Sequence, residues 1–125
     1  MFTTQEKKQC EQLPITFQKR VHRLIKLIED TIQNKKVKAN FWSYPTPDLL
    51  IAHFDVFLPR RKSFHLVMCW NGITDTWQFF CTSFCERISD RIVIIHGEYE
   101  DRIVLFSFNE MLKETRQLLK WVQKD

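Results

Sequence analysis

The chain has 125 residues, the length of one domain, which excludes an enzyme built from separate cofactor and substrate lobes. Its 44% hydrophobic residues and its aromatic residues (11 Phe, 4 Trp and 2 Tyr) supply a core without a cofactor, and its two glycines exclude a Gly-rich phosphate-binding loop. The net charge of +4 is uneven: residues 1–62 hold 12 Lys/Arg against 6 Asp/Glu, whereas residues 63–125 hold 7 against 9. We therefore expect a single domain over residues 1–125 whose first half attracts anions.

Two helices are predicted at the start of the chain. Thr3 and Glu6 fit a capping box for a short first helix, but residues 1–13 contain few apolar side chains and are expected to be loosely held. From Pro14 to about Asn34 the sequence has the period of an amphipathic helix. Its apolar stripe consists of Phe17, Val21, Leu24, Ile25, Ile28 and Ile32.

Strands are predicted in the middle of the chain. An additional strand is considered at Val37–Trp42, and residues 49–58 alternate between a fully apolar face and a mixed face. The apolar face would carry Leu50, Ala52, Phe54, Val56 and Leu58. One side of this strand is therefore expected to be buried and the other partly exposed to solvent.

A hairpin is predicted around Asn71-Gly72, because this pair is typical of a two-residue turn between strands at residues 64–70 and 73–81. Counting back from that turn opposes Trp70 to Ile73 and Leu66 to Trp77 on a buried face. The same count places Asp75 on the buried face, where it is the one polar exception.

The last part of the chain predicts a short helix, a second hairpin and a final helix. Ser83 to Glu86 fit a capping box for a helix that ends before Arg91. Strands are predicted at Ile92–His96 and Arg102–Phe108, and Ser107 with Glu110 caps a helix striped by Met111, Leu112, Leu118, Leu119 and Val122. The fold class is therefore α+β: an antiparallel sheet of about five strands with N- and C-terminal helices on one face and a short helix between the third and fourth strands.

Metal binding and catalysis are both disfavoured. Cys81 and Cys85 have a spacing seen in zinc sites, and Cys69, His65 and His96 lie on neighbouring predicted strands. The predicted register nevertheless directs Cys69 and His65 away from Cys81, so no metal site and no cofactor are expected. His53 and Asp55 could act as a base and its orienting carboxylate, but no further catalytic motif accompanies them. We therefore predict that the chain is not an enzyme.

Nucleic-acid binding is the alternative interpretation. Basic clusters in the first half alternate with the aromatic residues Phe41, Trp42, Tyr44 and Phe57, a combination on which single-stranded nucleic acids stack. The candidate patch consists of Lys35, Lys36, Lys38, Arg60, Arg61 and Lys62. No motif of a known nucleic-acid-binding class accompanies this patch.

Protein binding is the favoured interpretation, because a domain of this size cannot fully bury all of its large aromatic residues. These are Trp42, Tyr44, Trp70, Trp77, Tyr99 and Trp121. Trp121 lies off the apolar stripe of the last helix, where a partner could cover it. The predicted partner-binding residues are Trp42, Tyr44, Trp121, Arg60 and Arg61.

The predicted order of elements, helix, three strands, short helix, two strands, helix, is similar to that of the small chaperones that escort bacterial effector proteins to secretion. That resemblance implies a homodimer that wraps an extended effector segment without nucleotide. Compact immunity proteins and antitoxins, which neutralise one toxin, fit the same features. The expected function is binding of one specific partner protein, a toxin or a secreted effector. The start of the chain has no signal-peptide pattern and no apolar run reaches 18 residues, so a cytoplasmic location without membrane contact is expected.

Overall fold

The computed structural model describes residues 1–85 and 102–124. Two helices precede a five-stranded antiparallel sheet, and a third helix follows it. The elements are α1 Thr4–Glu11, α2 Ile15–Thr31, β1 Lys38–Pro45, β2 Leu50–Leu58, β3 Lys62–Asn71, β4 Thr76–Cys85, β5 Ile103–Leu105 and α3 Phe108–Gln123. The predicted α+β class is confirmed, and the additional strand considered at Val37–Trp42 is present as β1.

The strands lie in the order in which they occur along the chain, so each one pairs with its neighbours in sequence. Side chains alternate between the two faces, as the pleat requires. One face, here called the covered face, packs against α2 and α3 and forms the core. Its fully buried strand residues include Ala52, Phe54, Val56, Phe64, Leu66 and Met68. The predicted buried set of residues 49–58 is thus placed on the covered face, with Leu50 partly buried at the start of the strand.

Helix α2 forms as predicted, because its apolar residues repeat with the helical period and bury a single stripe. Phe17, Val21, Leu24, Ile25 and Ile28 are buried, and Pro14 occupies the N-cap position. Helix α3 buries the matching stripe of Met111, Leu112, Thr115, Leu119 and Val122. No helix within the described residues is long and apolar enough to cross a membrane.

The predicted register of the central hairpin is wrong by four residues, and the turn is centred two residues later than predicted. Trp70 pairs with Trp77 and Asn71 with Thr76, which leaves a four-residue loop over 72–75. Ile73, predicted on the core face, is 98% exposed in this loop. The slip is an even number of residues, so every strand residue stays on its predicted face.

Side-chain hydrogen bonds explain why the longer loop forms. The Asn71 side-chain oxygen accepts from the backbone N–H groups of Ile73 and Thr74. Asp75 adopts a left-handed conformation with φ of 53°, and its Oδ1 accepts from the indole N–H of both Trp70 and Trp77, at 2.9 and 3.2 Å. The one polar exception of the predicted register therefore lies in the turn, where it joins the two indoles.

The N-terminal segment differs from the expected loose arrangement. Thr3 and Glu6 form both bonds of the capping box, and Phe2 and Cys10 are buried in the core. The second carboxylate oxygen of Glu6 accepts from the backbone N–H of Phe41 in the edge strand β1. The prediction counted apolar residues and missed that one carboxylate can cap a helix and satisfy a strand edge together.

The predicted helix after the hairpin does not begin at Ser83, because residues 83–85 continue β4 and pair with residues 62–64 of β3. The rest of that helix, the strand predicted at Ile92–His96 and Tyr99 lie outside the described residues. The strand predicted over Arg102–Phe108 is shorter than expected and covers Ile103–Leu105. It ends there because Ser107 caps α3 by accepting from the backbone N–H of Glu110.

Candidate functional site

The second face of the sheet, here called the open face, carries an apolar row that crosses all five strands. Each member of the row is the register partner of the next member, which lies on the neighbouring strand. The members are Trp42, His53, Val67, Phe80 and Val104. Tyr44 lies beside the row on β1, and Trp42, Tyr44 and Val104 are 38%, 42% and 54% exposed.

A second, polar row runs beside the apolar row. Asn40, Asp55, His65 and Thr82 are paired across β1 to β4 in the same way. The Arg102 guanidinium lies 3.6 Å from the ring centroid of Phe80, so a cation borders the apolar row near its β5 end. The open face is therefore amphipathic, with apolar and polar side chains in adjacent rows.

His53 and His65 form a histidine pair that joins the two rows. His53 Nδ1 lies 2.9 Å from His65 Nε2, and His53 Nε2 lies 3.1 Å from the Tyr44 hydroxyl. The His53 ring stacks between Trp42 and Tyr44, with centroid distances of 4.8 and 5.4 Å. Because one nitrogen of the facing pair must donate and the other accept, this bond cannot persist when both rings are fully protonated.

The charge of His53 depends on its position in the apolar row. Burial, and to a smaller extent the neighbouring His65, lowers the pKa of His53 to about 4. His65 has a carboxylate in reach, because its Nδ1 lies 3.9 Å from Asp55 Oδ1. At neutral pH, His53 is therefore an uncharged aromatic member of the row.

The predicted dyad of His53 and Asp55 is replaced by a longer chain of contacts. Asp55 lies opposite His65, with its Oδ1 3.9 Å from His65 Nδ1, whereas His53 bonds to His65 and Tyr44. The sequence analysis missed His65 and Tyr44 as partners because it did not assign a register between β1, β2 and β3. A register for the β2–β3 pair would have placed His65 directly across from Asp55.

The predicted partner-binding residues occupy two separate regions. Trp42 and Tyr44 lie together on the open face. Trp121 lies on α3, is partly buried and packs against the core, with the Lys62 ammonium 5.3 Å from its ring centroid. Trp70 and Trp77 also pack against the core, stacked on Phe17 of α2. Within the described chain, the exposed large aromatic rings on the sheet are thus those of Trp42 and Tyr44.

A basic cleft lies where the α2–β1 loop, the start of β1 and the β2–β3 turn meet. It has a volume of about 610 Å³ and is lined by Asn34, Lys35, Lys36, Lys38, Leu58, Pro59 and Arg61. Four of the six residues of the predicted nucleic-acid patch are therefore brought together. Arg60 lies in the same β2–β3 turn, exposed and with φ of 64°. Lys62 is directed elsewhere, since its ammonium donates to the backbone carbonyls of Trp121 and Lys124 at the end of α3.

Cys10, Cys69 and Cys81 are free, buried thiols. Cys69 lies on the open face and Cys81 on the covered face, as the predicted register requires. Burial raises the pKa of Cys10 and of Cys81 to about 11, so these thiols stay protonated at neutral pH. Within residues 1–85 and 102–124, no group of three or more His, Cys, Asp or Glu residues is arranged to hold a metal ion.

No protein-family model matches the chain, and no curated protein or solved structure matches it significantly.

Proposed function

We propose that the chain is a non-catalytic protein-binding module whose open face binds one specific partner protein, of the toxin-neutralising or secretion-chaperone type. The observation that carries this proposal is the apolar row, which crosses five strands and ends on β1 in the exposed ring of Trp42. Each described helix that contacts the core does so from the covered face. Exposed aromatic residues in contiguous apolar rows are typical of protein interfaces.

The dimensions and charge of the open face indicate the chemistry of its partner. Five strands about 4.8 Å apart give the row a length of about 19 Å, which an amphipathic helix of about 13 residues would span. The face is bordered by Arg102 near β5 and by Lys38 on β1, both exposed. The partner segment is therefore apolar where it faces the row and carries carboxylates at its borders.

The polar side chains of the open face support binding and not catalysis. Tyr44, His53, His65 and Asp55 contact one another in sequence, so their polar atoms hold the aromatic stack in place. His53 is the central ring of this stack, with aromatic rings on both sides. The stack presents Trp42 in a fixed orientation, which lowers the entropy lost on binding.

The test is affinity capture of the tagged chain from its host, with and without nuclease, followed by purification of the protein that is recovered. The variant is Trp42→Ala with Tyr44→Ala. The control is Ile73→Ala, which removes a more exposed apolar side chain, 98% exposed, from the hairpin loop. We expect the double variant to lose the partner and the control to retain it, with urea denaturation showing that both variants are folded.

Two results would overturn the proposal. Recovery of nucleic acid alone, lost on nuclease treatment, would favour the alternative of a nucleic-acid-binding regulatory protein that uses the basic cleft. Retention of the protein partner by the folded double variant would place the interface away from the open face.

A further inference from the structure

The basic cleft has walls that the rest of the molecule holds in place. Its first wall is the loop between α2 and β1, where the Gln123 side-chain oxygen accepts from the backbone N–H of Asn34 at 3.0 Å. Asn34 Oδ1 in turn accepts from the N–H of Lys36 at 3.0 Å, and Val37 beyond it is buried. The second wall is the β2–β3 turn, closed by a bond from Arg61 N–H to the Leu58 carbonyl. The cleft is thus preorganised between two tethered loops.

Three lysines, Lys35, Lys36 and Lys38, are brought together in the cleft. Among the described residues of the lining, none is acidic. Among the described residues, no ion pair involves Lys35, Lys36 or Lys38, whereas Lys7 elsewhere pairs with Glu29 at 3.1 Å. Like charges held close together repel one another, and an anionic ligand would relieve that repulsion.

We infer that the basic cleft is a second subsite of the same interface and binds a carboxylate-rich segment of the partner protein. This inference rests on the proposed function. Lys38 lines the cleft and also lies at the end of β1 on the open face, directly across from Phe57. One partner segment can therefore run continuously from the apolar row into the cleft.

An acidic peptide fits this path better than a nucleic acid does. Between the cleft and the apolar row lies Asp55, whose side chain is 36% exposed. A phosphodiester backbone that ran from the cleft to Trp42 would bring its phosphates past this carboxylate. A peptide can place a neutral residue there and its carboxylates beyond it. Leu58 and Pro59 also give the cleft an apolar wall suited to a peptide side chain.

The direct test measures binding of fluorescein-labelled hexaglutamate and of labelled hexathymidylate by fluorescence anisotropy, at low and at physiological salt. The cleft variant is Lys36→Glu with Lys38→Glu. The matched control is Lys19→Glu with Lys26→Glu, which changes net charge equally at two exposed positions on α2. We expect the cleft variant to weaken hexaglutamate binding at least tenfold and the control to weaken it less than threefold. Equal weakening by both variants, absence of hexaglutamate binding, or tighter cleft-dependent binding of hexathymidylate would overturn the inference.

Capture of the partner separates this inference from the proposed function. If the cleft variant retains the partner with unchanged affinity while Trp42→Ala loses it, the cleft is not a subsite and the proposed function stands. If neither variant changes capture, both proposals fail. The inference is supported if the cleft variant binds the partner at least tenfold more weakly and the Lys19 and Lys26 control binds it as tightly as the unaltered chain does.

Discussion

On the covered face, the aromatic rings are held from several sides. Trp77 stacks on Phe17, Trp70 and Phe79, and the Arg20 guanidinium lies 4.0 Å from its ring centroid. On the open face, Trp42 has ring contacts only to the two histidines among the described residues, at 4.8 and 5.5 Å. The same kind of side chain is used to build a core on one face, whereas on the other it lies in a surface row with much of its area exposed. The comparison indicates that stability resides mainly on the covered face and leaves the open face available for the proposed recognition.

The largest expected effect separates the faces by their contribution to folding. Phe54→Ala removes a fully buried ring that packs against Phe41 and Phe2, and we expect it to lower the free energy of unfolding by about 3–5 kcal/mol. Trp42→Ala removes a partly exposed ring and should cost about 1 kcal/mol. Urea denaturation followed by circular dichroism measures both. Equal losses would mean that the open face is part of the folding core.

A pH-dependent effect on stability is expected from His53 on the open face. In the unfolded chain the pKa of His53 is about 6.5, whereas in the folded chain burial and His65 lower this pKa to about 4. The unfolded state therefore binds more protons in this window, and stability falls as the pH drops from 6.5 to 4. Allowing for solvent screening at this partly exposed site, the loss is about 1–2 kcal/mol.

The matched variant for this effect is His53→Phe, which retains an aromatic ring between Trp42 and Tyr44 but cannot titrate. Urea denaturation at half-unit pH steps should show a flatter profile for the variant between pH 6.5 and 4. Identical profiles would show that His53 does not carry the pH dependence.

An effect of similar size is expected at the turn that orders the indoles of the covered face. Asp75→Ala removes the acceptor shared by Trp70 and Trp77 and should cost about 1–2 kcal/mol. Asp75→Asn keeps a side-chain oxygen and tolerates the positive φ, so it should cost less than half as much. Thermal unfolding monitored by tryptophan fluorescence distinguishes the two. Equal losses would indicate that the side-chain oxygen is not what stabilises the turn.

The smallest effect concerns the turn beside the basic cleft. Arg60 has φ of 64°, a conformation that glycine adopts without steric cost. Arg60→Gly should therefore raise the free energy of unfolding by about 0.5 kcal/mol, despite the added chain entropy of glycine. The urea midpoint measures this change, and a lower midpoint would show that the Arg60 side chain makes stabilising contacts.

Much of the fold could be predicted from the sequence because its signals are local. The stripe of α2 needs only the helical period, and the alternation of β2 and β3 assigns side chains to faces even when the pairing register is wrong by four residues. The true turn depends on Asp75 bonding two indoles at once, which no local propensity reports.

The candidate site was less predictable, because its contacts join distant parts of the chain. Trp42 and Tyr44 could be predicted as partner-binding residues because the domain has more large aromatic residues than it can fully bury. Their stack with His53 depends on the β1–β2 register, which the sequence does not give. The histidine pair depends on the β2–β3 register. Lys62 could not be separated from Arg61 by sequence, because the partner of Lys62 is the end of α3, 59 or more residues away.

The most direct test of the account compares one tryptophan from each region. Isothermal titration of the purified partner into Trp42→Ala and Trp121→Ala measures whether binding follows the open face or the helix layer. We predict that Trp42→Ala raises the dissociation constant at least thirtyfold, in keeping with an exposed aromatic anchor. Trp121→Ala should change the dissociation constant less than threefold, although it lowers the folding stability. The reverse result, with binding lost in a folded Trp121→Ala and kept in Trp42→Ala, would contradict the assignment of recognition to the open face.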